Sequence, residues 1–228
     1  MSSSWLNKPG ILGSSANLGA DISYLFAILF MGLFVASWYQ AYRHRSNVHH
    51  WMILASIVTM IGYFIWYYEV RRLGAMAFEE SLDFPGPPHI LENVVKPILW
   101  VHFAAVLLAL ILSIYMLING FKSADRIEGR WTLTGKSIRV GWPGKIAALL
   151  YLWILLIWIY GLQSLPPSYK ILFFVMFFVI PASVIWFIKW RFPNSARRHR
   201  VVGRITICVF GFSLITATLT YLFMYVIY

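Results

Sequence analysis

Six long apolar runs separated by short polar stretches dominate the chain: Ile22–Tyr42, Trp51–Tyr68, Ile98–Phe121, Ile146–Leu162, Ile171–Trp190 and Val201–Tyr228. A transmembrane helix needs about 20 mostly apolar residues, so the pattern predicts an all-α, polytopic membrane helix bundle with six transmembrane helices. The last run is long enough to tilt or to project beyond the bilayer. The fourth is short, and Trp153, Trp158 and Tyr160 stand in its later half, as interface aromatics do. Pro181 interrupts the fifth run. A proline there removes one backbone donor and predicts a kink whose freed carbonyl must find another partner. No internal repeat emerges, and no stretch between the runs is large enough to fold alone. The chain therefore reads as a single integral membrane domain over 1–228.

Composition agrees with that pattern. Apolar residues make up 60% and charged residues only 12%, about half the charged share of an ordinary soluble domain. Collagenous, disordered and disulfide-scaffold classes are excluded. The net charge is nevertheless +11, from 19 Lys+Arg against 8 Asp+Glu. These basic residues crowd the ends of apolar runs instead of lining one face, so no nucleic-acid partner is expected. The single cysteine, Cys208, lies inside an apolar run, which rules out an intramolecular disulfide and a cysteine-based metal site.

Sorted by loop, the charge predicts an orientation. Loops 41–50, 122–145 and 189–204 hold fourteen of the basic residues and two acids. The opposite set holds five basic residues and six acids. The positive-inside rule puts the first set in the cytoplasm and both termini outside. The first run is preceded by Lys8 alone and followed by Arg43 and Arg45. It therefore reads as a retained span, not as a signal peptide. The external loop 70–97, with its acidic EESLD and turn-rich PGPPH, reads as an irregular cap.

Ionisable groups within spans are costly and point to function by default. His102, in WVHFAAVLLALIL, is the clearest case. It suits a haem or copper ligand, a proton or quinone contact, or a neutral imidazole bonded to a neighbouring helix. His44, His49 and His50 precede the second span, and His199 precedes the sixth within ARRHR. If those spans are neighbours, His49 or His50 can face His199 at one depth. Two such imidazoles suit axial ligation of haem b, or a copper or zinc site with further ligands. The plainer reading makes them interfacial residues among arginines drawn to anionic lipid. His89 in the external loop could add a ligand. Arg71 and Arg72 can pair with Glu69 or with the acidic cap. The tripeptide GKS at 135–137 lacks the first glycine of a phosphate loop, and no strand is expected before it. No nucleophile elbow, HExxH or CxxC occurs.

Three stretches together carry a family resemblance: VHHWMILASI, KPILWVHFAAVLLALILSIYMLINGFK and RRHRVVGRITICVFGFSLITATLTYLFMYVIY. They resemble the small membrane-protein family of YozB and the oxidase-maturation factor CtaM. The likeness lies in a His-basic pair before one span, a His followed by an aliphatic-Ala stretch in the next, and His-basic before the last. The matching positions here are His50 (or His49), His102 and His199, with Thr218 and Tyr221 in the last helix. The resemblance covers 22–122 and 197–228. Segment 123–196, with its two helices, stands where the family has a short loop. Tyr67 stands where many members carry a further histidine.

The resemblance implies a protein of the prokaryotic plasma membrane that handles haem or copper in connection with a respiratory terminal oxidase, in assembly or as a redox accessory. His50, His102 and His199 would be its cofactor-binding residues, with His49 added if the group is a metal ion. The alternative is a non-catalytic accessory subunit of a larger membrane complex, with no cofactor at all. A quinone-linked redox enzyme or a transporter ranks last, because only one internal proline break is evident where transporters show paired broken helices.

Overall fold

The computed structural model describes residues 8–71, 84–135 and 167–228, with scattered helical positions between 149 and 156. It is mostly helical. Helix α1 is Leu18–Tyr42, α2 is Ser46–Arg71, α3 is Pro88–Ser123 and α5 is Ser195–Ile227. Helix α4 (167–191) lies between α3 and α5 in the chain. Of these, α1, α3 and α5 are long and apolar enough to cross a membrane. Most of the fourth apolar run, residues 72–83, residues 136–148 and the side chains of Glu69 and Arg71 lie outside the described part. The expected pairing at Arg71 and Arg72, the EESLD stretch and most of the GKS tripeptide fall there.

Side-chain caps set where the two outermost helices begin. The Asn17 side chain accepts from Ala20 N–H at 2.9 Å to start α1. Asn194 does the same for α5, accepting from Arg197 N–H at 2.9 Å. Each takes up one of the orphan donors of a first helical turn.

The helices run antiparallel. The start of α2 lies beside the end of α1, where the Ser37 hydroxyl donates to the His49 carbonyl at 3.2 Å. The start of α5 lies beside the end of α3, where the Asn119 amide donates to the Ser195 carbonyl. One core cluster joins Phe30 and Phe34 of α1 to Ile57 and Met60 of α2, with Leu110, Leu117 and Phe210 packed against it. A second joins Leu112 and Tyr115 of α3, Ile188 of α4 and Val202 of α5. Lipid is as apolar as these side chains, so close packing holds such helices together in place of a hydrophobic drive.

The break expected at Pro181 appears as a π-helical turn, Val175–Val179, immediately before it. Ile180 N–H donates to the Val175 carbonyl, five residues back. The wider turn relieves the clash that a proline ring makes with the carbonyl four residues back, and keeps the backbone paired. Pro97 is handled in the same way: Leu91–Val95 is a π turn, and Lys96 N–H donates to the Leu91 carbonyl.

Residues 124–133, expected to be loop, form a hairpin of β1 Ala124–Ile127 and β2 Arg130–Leu133. The turn residues Glu128 and Gly129 both have positive φ, 48° and 76°. This is the two-residue turn whose twist matches antiparallel strands. A strand thus does precede Gly135, although the first glycine of a phosphate loop is still missing.

At the far end of the bundle, Asp21 is fully buried. Its Oδ2 accepts from Ile11 N–H at 2.6 Å and Leu12 N–H at 2.8 Å, and its Oδ1 accepts from the Tyr221 hydroxyl at 2.5 Å. Tyr221 also meets Ser14 Oγ at 2.7 Å and stacks on Tyr24 with ring centroids 4.6 Å apart. Tyr24 in turn meets Thr218 Oγ1 at 3.2 Å. One carboxylate in the first turn of α1 thus ties down both the segment before that helix and the end of the last one. Hydrogen bonds to a charged group contribute about 1.5–3 kcal/mol each. Asp21→Ala should therefore lower the melting temperature in mild detergent and open residues 8–17 to proteolysis. Tyr221→Phe, which leaves both N–H bonds in place, should cost markedly less. Equal losses in the two variants would contradict this arrangement.

Candidate functional site

The opposite end of the bundle holds a cavity of about 600 Å³ bounded by α1, α2, α3, α5 and the hairpin. Its walls include Phe34, Trp38, His49, His50, Phe121, Trp131, His199, Arg200 and Arg204. The size is that of a cofactor or small-molecule site.

Three of the histidines singled out by sequence meet here. His49 stands 5.6 Å from His50 and 6.4 Å from His199 between ring centroids, with both pairs at 82° between planes. His49 Nδ1 lies 2.9 Å from the Ser37 carbonyl, and His50 Nδ1 lies 2.9 Å from the Ser46 carbonyl. A carbonyl only accepts, so these contacts put the proton on Nδ1 and leave the lone pair on Nε2. That is the arrangement a metal-binding histidine uses to fix its tautomer and ring angle. Burial, followed by the backbone bond to Ser37 working against it and the charge of His50, leaves His49 below the ordinary imidazole value. Its neutral form is thereby favoured.

His199 is placed differently. Its Nδ1 is buried with no hydrogen-bond partner. A Cβ on Gly120 would stand 3.0 Å from His199 Cε1. A glycine at this turn of α3 therefore leaves the space that the ring occupies. An orphaned buried polar nitrogen costs about 1–3 kcal/mol, and here it faces α3, 3.5 Å from where a Cβ on Gly120 would stand.

The hairpin closes one side of the cavity. Trp131 stacks on His50 with centroids 5.6 Å apart and planes at 22°, and Phe121 meets the same ring edge-on at 5.8 Å. The Asn47 side chain holds the hairpin in position: it donates to the Gly129 carbonyl at 3.1 Å and accepts from Trp131 N–H at 3.0 Å. Asn47, Trp131 and Gly120 were not picked out by sequence reasoning. Trp131 carried a weak signal, an aromatic directly after Arg130 in a basic loop.

The other histidines lie elsewhere. His44 is exposed at the turn between α1 and α2, with φ 55°, on the rim of the cavity. His89 is exposed at the start of α3. His102 is eighteen residues before Gly120 on the same helix, roughly 27 Å along its axis at the usual rise. Its Nδ1 lies 3.1 Å from both the Ser213 carbonyl and Thr216 Oγ1 of α5. His102 thus links α3 to α5 in the half of the bundle away from the cavity and does not join the cluster. Among the described residues no group of three or more His, Cys, Asp or Glu side chains is placed to hold a metal ion.

Comparison with protein-family models, curated proteins and solved structures finds no match. The site is therefore read from its own geometry.

The fit of His199 to Gly120 is directly testable. Gly120→Ala places a methyl against the ring and should destabilise the protein by about 1–3 kcal/mol. In a His199→Ala background the same change should cost much less, giving a clear interaction energy in a double-mutant cycle of melting temperatures. Additive losses would show that the two residues are not coupled.

Proposed function

We propose that this chain is an integral protein of the prokaryotic plasma membrane that holds a b-type haem at its histidine-lined end and serves a respiratory terminal oxidase, in assembly or as a redox accessory. It would have six spans and both termini outside. The charge distribution supports this orientation, because the histidine-lined end is also the arginine-rich end. The link to an oxidase rests on the family resemblance.

One observation carries the haem reading. His49 and His199 would be the residues that hold the group. His49 and His199 stand 6.4 Å apart in a cavity of about 600 Å³. Space in the cavity and a fixed tautomer on His49 suit such a group. His50 is the neighbouring imidazole on the same wall. Arg200 and Arg204 supply the positive charge that two carboxylate substituents require, and Trp38, Phe34 and Trp131 supply apolar faces. The haem, when bound, would supply one-electron chemistry. The protein's own part is to fix the imidazoles and exclude water. A copper ion held by protein ligands alone is less well served, since among the described residues no three His, Cys, Asp or Glu side chains, His50 included, are placed to hold one metal ion.

Protein purified in mild detergent should show a Soret band with about one haem per chain. His199→Ala and His49→Ala should abolish or strongly shift it, whereas His102→Ala should leave it in place. A preparation with neither a Soret band nor copper by metal analysis would overturn the reading. Loss of the band in His102→Ala alone would move the site to the outer half of the bundle.

A further inference from the structure

A second polar cluster lies at the same end of the bundle, between α3, α4 and α5. Arg198 is only 4% exposed. Its Nε–H donates to Asn119 Oδ1 at 3.1 Å, and the Asn119 amide donates onward to the Ser195 carbonyl at 3.4 Å. No carboxylate among the described residues pairs with Arg198. A largely buried guanidinium with one neutral partner has its charge unbalanced by any nearby acid.

The neighbours increase the imbalance. Lys189 of α4 lies within electrostatic reach of both Arg198 and Lys122. Neither lysine has a carboxylate partner among the described residues. The Tyr115 hydroxyl, buried and without a hydrogen-bond partner, lies within reach of the Arg198 charge. The first turns of α5 contain Arg197, Arg198, His199 and Arg200 and no acid. Basic residues there stand at the positive end of the helix dipole, where anions are favoured and cations are not. Three cations, a free hydroxyl and a helix N-terminus thus lie together, with no carboxylate paired to any of these cations among the described residues.

We propose that Arg198, Lys189, Lys122 and the Tyr115 hydroxyl form a binding site for a phosphate group. The chemistry fits: a guanidinium binds phosphate oxygens through paired N–H donors, ammonium groups act as point charges, and a phenol donates a further hydrogen bond. The site lies where α3 leaves its apolar stretch and α5 enters its own, at the depth of lipid headgroups. An anionic phospholipid is therefore the expected source of the phosphate. The site is separate from the histidine cavity and does not depend on any cofactor there.

The test uses the full chain, delipidated in mild detergent, with melting temperature and lipid retention as readouts. Phosphatidylglycerol should raise the melting temperature, while phosphatidylcholine should have a much smaller effect. Lys189→Gln and Tyr115→Phe should each weaken the phosphatidylglycerol response. The combined variant should need roughly tenfold more lipid or beyond for the same shift. Arg43→Gln, which removes the same charge from outside the cluster, should respond like the wild type. Arg198→Gln is the strongest variant but removes a buried side chain, so the two milder variants carry the decision. If inorganic phosphate at millimolar concentration reproduces the shift and competes with the lipid, the site stands with free phosphate as its source. Equal responses to the two lipids, or an unchanged response in the combined variant, would overturn the proposal.

Discussion

A polar group that leaves water for the interior of an apolar bundle must find a partner inside the protein, and the described structure is organised around meeting that demand. The two prolines show it in the backbone. Pro97 and Pro181 cannot donate, and each is preceded by a π turn in which the residue before the proline bonds five residues back. Asp21 shows it in a side chain, with two N–H groups and a tyrosine hydroxyl around one carboxylate. His49, His50 and His102 each place Nδ1 against a backbone carbonyl. Among the described residues the demand is not met at Gln40 Oε1, His199 Nδ1 and the Tyr115 hydroxyl, and the last two lie beside the proposed haem and phosphate sites.

The two ends of the bundle satisfy this demand in opposite ways. At the Asp21 end, a single negative charge is matched by neutral donors, and the result is closure: the segment before α1 is fixed to the end of α5. At the other end, positive charge and imidazoles gather, and the described carboxylates there, Asp125 and Glu128, sit in the hairpin. A polar cluster that is fully satisfied gives rigidity and a defined register. One that is partly satisfied costs stability and persists only where something else compensates.

Much of the fold was legible in the sequence because membrane spans write themselves as long apolar runs. The end of α1 and the core of α3 and α5 follow from hydropathy, whereas α1 begins four residues earlier than the apolar run, at Leu18; the position of His49, His50 and His199 at one depth follows from their placement among arginines just before spans. That depth is a property of chain position, so sequence carries it. What sequence did not carry was pairing in space. Asp21 counted there as one external acid, because its partner Tyr221 is two hundred residues away. Gly120 was one glycine in a span, with nothing local to say that an imidazole would lie on it. The hairpin was missed because its turn, Glu128-Gly129, is less distinctive than Asn-Gly and its strands are only four residues long. Arg198 looked like its exposed neighbours Arg197 and Arg200, and only the packing of α3 and α4 against α5 separates them.

That packing also explains how two sites can coexist so closely. Asn119 bonds Arg198, and Gly120 makes room for His199. Consecutive residues on an α-helix point about 100° apart. One crossing of α3 over α5 therefore presents two adjacent pairs in different directions, one toward α4 and the other toward the cavity. The same helical turn that buries the guanidinium sets the position of the imidazole. A shift of α5 along α3 moves both pairs at once, since neither has a hinge of its own. Occupation of the cation cluster by a phosphate would thus hold His199 in register with His49, and the spacing of the two imidazoles becomes a property of the whole helix crossing.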